Sequence, residues 1–144
     1  MNPPGGGFQN VVRNGVFSVP PLKTVQVPLS TVCLAHGKPE PRARLKYELV
    51  KIEDYSNDPV LQETLNLFVS GATDTETAQA AVWHLTDKMS WDDLNNKQIE
   101  RLGSTSIPYF GEGKIDAAKD LIQKAQKQAK NSPRPMETAS RRPE

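Results

Sequence analysis

The chain is poor in cysteine, histidine and aromatic residues. Its 144 residues include one cysteine and two histidines, and aromatic residues make up 6%. A single cysteine excludes an internal disulfide framework. A structural zinc site needs four ligands, usually from paired Cys or His, and only Cys33, His36 and His84 are present. We therefore expect no metal ion and no other cofactor.

Long apolar runs and a strong excess of one charge are also missing. No stretch has the length and apolar character of a membrane span, and the start lacks the pattern of a signal peptide. At face value the chain is expected to be cytoplasmic, or exported if its start is truncated. The formal net charge of +1 argues against a dedicated nucleic-acid-binding protein. Residues 114–144 are nevertheless basic, with eight Lys or Arg against four Asp or Glu.

The two ends of the chain have compositions typical of disorder. Residues 1–7 are mostly Pro and Gly, and residues 131–144 combine three prolines with three arginines. Neither end has enough apolar surface to offset the entropy lost on ordering. Residues 8–130 are therefore predicted to form a single domain between a disordered start and a disordered basic tail.

The first part of this domain has patterns typical of β-strands. Residues 16–19 and 24–27 are short β-rich runs on either side of Pro20-Pro21, which predicts a hairpin or a tight corner. The second run keeps a period of two as far as Cys33, so Cys33 is expected to point towards the core. Residues 44–50 alternate most clearly, and Leu45, Tyr47 and Leu49 are expected to be buried.

The second part has capped helical patterns. Predicted helices begin at Asp58, at Thr73 with Glu76 as a capping box, at Ser90 with Asp93, and at about residue 114. The sequence therefore predicts an α+β fold. A small antiparallel sheet from residues 8–53 would pack against three to four short helices from residues 58–130.

The absence of a catalytic set makes a non-enzymatic interaction or structural module the leading interpretation. Apolar residues left over in loops and on the last helix indicate where a protein partner could bind, together with the loop at residues 36–41. The candidate contact surface is formed by Ile107, Tyr109, Phe110, Ile115 and Ile122. Helix 114–130 has a narrow, alanine-rich stripe that could also pair with a second copy.

A small cysteine-dependent hydrolase is a further interpretation. Cys33 would be the nucleophile, His36 or His84 the base, and Asp87 the group that orients the base. The chain has no nucleophile elbow and no cysteine-protease signature around Cys33.

A third interpretation comes from the segment Gln79-Ala80-Ala81-Val82-Trp83-His84. This segment resembles the glutamine motif of the thioester domains of bacterial surface adhesins, in which a Trp follows the glutamine by four residues. Ala78 stands where that family has threonine. The stretch Thr31-Val32-Cys33-Leu34, which precedes a Lys-Pro loop, resembles the cysteine side of the same pattern.

The resemblance implies an internal thioester between Cys33 and Gln79, with Trp83, His84 and His36 as candidate supporting residues. In that family the bond reacts with a nucleophile on a host protein, so the chain would be a covalent adhesion module. A strand would hold the thiol and a helix would present the carboxamide. Burial would protect the bond from water.

Overall fold

The computed structural model describes residues 18–132, and the predictions for the two ends of the chain lie outside this range. The described residues fall into two units, the first ending at Thr31 and the second beginning at Val32. In the first unit, residues 18–31 contain a turn in which the Lys23 N–H donates to the Pro20 carbonyl over 3.2 Å. The second unit contains every helix and strand of the described range.

The predicted N-terminal sheet is not found among the described residues. Residues 18–51 contain no strand, and the side chains of Leu45, Tyr47 and Leu49 are 57%, 60% and 100% exposed. The expectation that these three side chains are buried is therefore wrong. Period-two alternation needs a neighbouring strand before it can bury one face, and no strand within residues 18–132 pairs with this segment.

Helices dominate the second unit, and a two-stranded antiparallel sheet accompanies them, so the fold class is α+β. The elements in chain order are α1 (Ile52–Tyr55), α2 (Pro59–Val69), α3 (Thr75–Thr86), α4 (Trp91–Asn96), β1 (Gln98–Ile99), β2 (Ile107–Pro108) and α5 (Lys114–Asn131). The strands β1 and β2 pair Gln98 with Pro108 and Ile99 with Ile107. No described helix combines the length and the apolar character needed to cross a membrane.

Capping residues set the starts of the main helices. The Asp58 carboxylate accepts from the N–H groups at the start of α2, and Pro59 occupies the first helical position. Ser90 and Asp93 form the predicted capping box of α4. The cap of α3 is Asp74 rather than the predicted Thr73, because the Asp74 carboxylate accepts from the N–H of Thr77.

Asp74 is also charged down to unusually low pH. Burial alone would raise the pKa of its carboxyl, but hydrogen bonds from the hydroxyl and N–H of Thr77 outweigh that effect. The Lys114 ammonium lies 3.0 Å from the same carboxylate and lowers the pKa further. The resulting pKa is about 2. This ion pair ties the start of α5 to the start of α3.

The core of the second unit lies where α5 packs against α2 and α3. The apolar stripe of α5 faces inward, so Ile115 and Ile122 are buried, and Phe110 is buried beside them. They are three of the five residues predicted to form a contact surface, and for these three the prediction is wrong because they belong to the core. The predicted pairing of α5 with a second copy loses its surface for the same reason. Ile107 is half-buried, and Tyr109 is 36% exposed.

The apolar residues Trp91, Leu94, Ile99 and Leu102 predict that the helix from Ser90 continues to about residue 102, but the observed helix α4 is shorter. It ends at Asn96, and Ile99 lies on β1 instead of on the helix. Leu102 is fully exposed in the turn that follows. The hairpin β1–β2 therefore replaces the last predicted helical turn and brings Lys97 and Tyr109 together, joined by a 2.8 Å bond from the Tyr109 N–H to the Lys97 carbonyl.

Candidate functional site

Cys33 and Gln79, predicted as a reacting pair, are in direct contact. The Cys33 N–H donates to Gln79 Oε1 over 2.7 Å, and Gln79 Nε2 donates to the Cys33 carbonyl over 2.9 Å. The two residues are 46 positions apart in the chain. Gln79 is buried, and a buried carboxamide needs partners for both of its ends. The backbone of Cys33 supplies both partners, which fixes the orientation of the Gln79 carboxamide.

Three side chains along one side of α3 contact residues 33–36, here called the Cys33 segment. Gln79 and Trp83 lie on α3, and Asp87 is its C-cap. The three follow one another at intervals of four residues, which places them on one face. Gln79 holds the backbone of Cys33, and the Asp87 carboxylate accepts from the His36 N–H over 3.0 Å. The Cys33 segment therefore runs along α3 between two side-chain anchors.

Aromatic rings fill the space between these anchors. The His36 ring lies edge-on to Trp83, with ring centroids 4.7 Å apart. Tyr109 and Phe110 also contact Trp83, at centroid distances of 5.5 and 6.0 Å. The Trp83 ring is thus enclosed by His36 on one side and by the residues after β2 on the other.

Lys97 completes this cluster. Its Nζ lies 2.9 Å from His36 Nε2, 5.1 Å from the centroid of Tyr109 and 5.6 Å from that of Trp83. These distances allow one hydrogen bond and two cation–π contacts. Sequence analysis did not select Lys97, because a lysine between a short helix and a two-residue strand carries no motif. Only the turn after α4 brings it onto Trp83.

Two polar groups of the cluster have unusual surroundings. Burial raises the pKa of the Tyr109 phenol, and the negative charges of Cys33, Glu40 and Glu76 raise it further. Within residues 18–132, the buried Trp83 Nε1–H meets no hydrogen-bond acceptor. An unpaired buried donor costs about 1–3 kcal/mol.

Cys33 itself is not in the core. Its side chain is exposed, which contradicts the expectation that it points inward. The strand that would have directed it inward does not form, and the backbone of Cys33 bonds to a helix side chain instead. The sulfur therefore lies at the edge of the site, on the residue that holds the Gln79 carboxamide.

The two histidines have different surroundings, and only His36 lies in the cluster around Trp83. His84 Nδ1 donates to the Met89 carbonyl over 2.7 Å, and its ring stacks on Trp91 at 3.9 Å, away from the Cys33 segment. Among the described residues, no hydrogen bond joins the Cys33 thiol to His36 or to His84. Asp87 accepts from the His36 backbone rather than from an imidazole ring. The nucleophile–base–acid chain of a cysteine hydrolase is therefore not assembled.

Neither a group of metal ligands nor a similar protein identifies the chemistry of this site. Within residues 18–132, no group of three or more His, Cys, Asp or Glu side chains is placed to hold a metal ion. Comparison of the chain with protein-family models, with curated proteins and with solved structures gives no match in any of the three.

Proposed function

We propose that this chain is a protein-interaction module that binds its partner covalently, through an internal thioester between Cys33 and Gln79. The contact between these two residues is the observation that carries the proposal. The pair was selected from a sequence resemblance that uses no distance information. Two residues chosen at random 46 positions apart would rarely share two hydrogen bonds.

The geometry of the carboxamide supports a reaction at its carbon. The Cys33 N–H already donates to Gln79 Oε1, the oxygen that would gain negative charge when sulfur attacks Cδ. A preorganised donor at that position stabilises such an oxyanion. The sulfur belongs to the residue whose backbone holds the carboxamide at both of its ends.

The bond changes balance without an added reagent. Cys33 Sγ bonds to Gln79 Cδ, the bond from Cδ to Nε2 breaks, and the thiol proton leaves with that nitrogen as ammonia. A primary amine on a partner, such as a lysine side chain, can then attack Cδ. The C–S bond breaks, the thiol of Cys33 is regenerated, and an amide joins Gln79 to the partner.

Thiol titration with and without a small amine tests this proposal. Purified, unfolded wild-type protein should contain no titratable thiol, because Cys33 is its only cysteine. Treatment with methylamine should release one thiol for each chain and add one methylamine to Gln79. The Gln79→Ala variant is the matched control, since it keeps Cys33 but has no carboxamide. It should show one free thiol before and after the amine.

A wild-type protein that shows a full free thiol from the start would overturn the proposal. So would a thiol that is hidden in wild type and equally hidden in Gln79→Ala, because the block would then come from another modification of Cys33.

Non-covalent binding is a second candidate, favoured by the exposed apolar side chains of residues 45–50. Leu45, Tyr47 and Leu49 alternate along a segment that has no paired neighbour within the described residues. Such a segment can add to a strand of another chain through its free backbone groups. NMR titration with a synthetic peptide of residues 44–50 tests this property. Shift changes confined to this segment, and lost in Leu49→Asp, would support it, whereas no shift changes in wild type would refute it.

A further inference from the structure

The contact between Lys97 and His36 determines the proton position on the imidazole ring. An ammonium group has three donors and no acceptor, so His36 Nε2 must accept the 2.9 Å hydrogen bond. A ring nitrogen that accepts carries no proton. This contact therefore requires the tautomer that carries its proton on Nδ1.

Lys97 is itself held in place by its surroundings. Its ammonium lies within cation–π distance of Trp83 and Tyr109, and its backbone carbonyl accepts from the Tyr109 N–H. The side chain is half-buried, so its position is set by these contacts rather than by solvent. Trp83 lies one helical turn after Gln79 on α3, so Lys97 contacts the same helix face that presents the carboxamide.

The contacts continue from His36 to the reacting pair. The His36 ring packs on Trp83, and the His36 backbone N–H donates to the Asp87 carboxylate. Three residues earlier in the chain, the Cys33 backbone N–H donates to Gln79 Oε1. We infer that Lys97 is a positioning residue for Cys33 and Gln79, and that it acts by fixing the orientation and tautomer of His36. This inference rests on the proposed thioester for its purpose, although the contacts on which it depends exist without that bond.

Three variants test the inference. Lys97→Met keeps an apolar stem over Trp83 but has no donor for His36, and Lys97→Arg restores a donor and a charge. Lys119→Met is the matched control, because Lys119 also lies over a tryptophan ring, at 5.9 Å from Trp91, away from the Cys33 segment. Circular dichroism checks that each variant keeps its helices.

Two measurements are made on each variant with Cys33→Ala in the background, so that no thioester forms. In the Cys33→Ala chain that keeps Lys97, the ¹⁵N shifts of the His36 ring should report an unprotonated Nε2. In the Cys33→Ala chain with Lys97→Met, they should report a mixture of tautomers. Hydrogen exchange of the residue-33 amide, which donates to Gln79 Oε1, should be roughly tenfold faster in Lys97→Met. Lys97→Arg should restore both values, and Lys119→Met should change neither.

An Nε2 that is protonated in the Lys97 background would overturn the inference. An exchange rate at residue 33 that is the same in Lys97→Met as with Lys97 in place would also overturn it. Because these readings use a chain without the thiol, their failure is separate from a failure of the thioester. With Cys33 restored, the rate at which the free thiol disappears should fall several-fold in Lys97→Met and recover in Lys97→Arg.

Discussion

Replacement of Gln79 by alanine removes the group that joins α3 to the Cys33 segment. The substitution deletes one carboxamide and one methylene from a side chain that is 8% exposed. It also releases the N–H and the carbonyl of Cys33, which lie close enough to the surface to bond with water.

The expected cost follows from these losses. Each hydrogen bond contributes about 0.5–1.5 kcal/mol net, and the buried methylene about 0.8 kcal/mol. Without a thioester, Gln79→Ala should therefore lower the free energy of unfolding by about 2–4 kcal/mol, measured by urea denaturation followed with circular dichroism. Gln123→Ala, on the exposed side of α5, is the control and should change it by less than about 0.5 kcal/mol.

A thioester would add a second, separable contribution. Closing a loop of about 46 residues restricts the unfolded chain by about 4 kcal/mol in the chain-entropy argument developed for disulfides. The Cys33→Ala variant has no cross-link, so its intact Gln79 carboxamide can make both backbone bonds to residue 33. Measured in the Cys33→Ala background, Gln79→Ala reports the two hydrogen bonds and the buried methylene without the cross-link. If Gln79→Ala is neutral in that background, the Cys33–Gln79 contact does not hold the segment and the reasoning fails.

Further substitutions test separate parts of the structure. Cys33→Ala alone should cost up to about 4 kcal/mol by urea denaturation because it removes the cross-link, and a change below about 0.5 kcal/mol would contradict a closed thioester. Trp83→Ala should cost about 3–5 kcal/mol because the ring fills the core, whereas Trp83→Phe should cost clearly less because it also removes the unpaired N–H. Because the pKa of Asp74 is lowered from 3.8 to about 2, its ionised carboxylate stabilises the fold at pH values above about 4. This contribution to the free energy of unfolding is lost as the pH falls from about 4 to about 2. Because Asp74 is half exposed, the gain should be no more than about 1 kcal/mol, and Asp74→Asn should keep the cap but lose the pH dependence in acid titrations of unfolding.

Local signals in the sequence predicted the helices well and the sheet poorly. The starts of α2 and α4 follow from Asp58-Pro59 and from the Ser90–Asp93 box, because a cap and its partner are neighbours in the chain. Burial along residues 44–50 depends on a partner strand that the alternation cannot specify. Phe110, Ile115 and Ile122 of the predicted contact surface are buried for a related reason. An apolar stripe on a helix indicates that the stripe is covered, but it does not indicate by what. In this fold α2 and α3 cover the stripe of α5.

The candidate site was predicted in part. The Cys33–Gln79 pair came from a motif, and the spacing of Gln79 and Trp83 correctly placed them on one helix face. The position of Lys97 over Trp83 depends on where α4 ends and the hairpin turns back, which no local pattern indicates. His84 follows Trp83 directly in the motif, but adjacent residues on a helix point in different directions, and the His84 ring stacks on Trp91.

The mass of the intact wild-type chain tests the Cys33–Gln79 thioester most directly, since bond formation expels one ammonia and no other described contact changes the mass. We predict a mass lower than that of the sequence by one ammonia, with the loss located by digestion at acidic pH to a linked pair of peptides that contain Cys33 and Gln79. A chain of full mass, in which these two peptides separate without any amine treatment, would contradict the account.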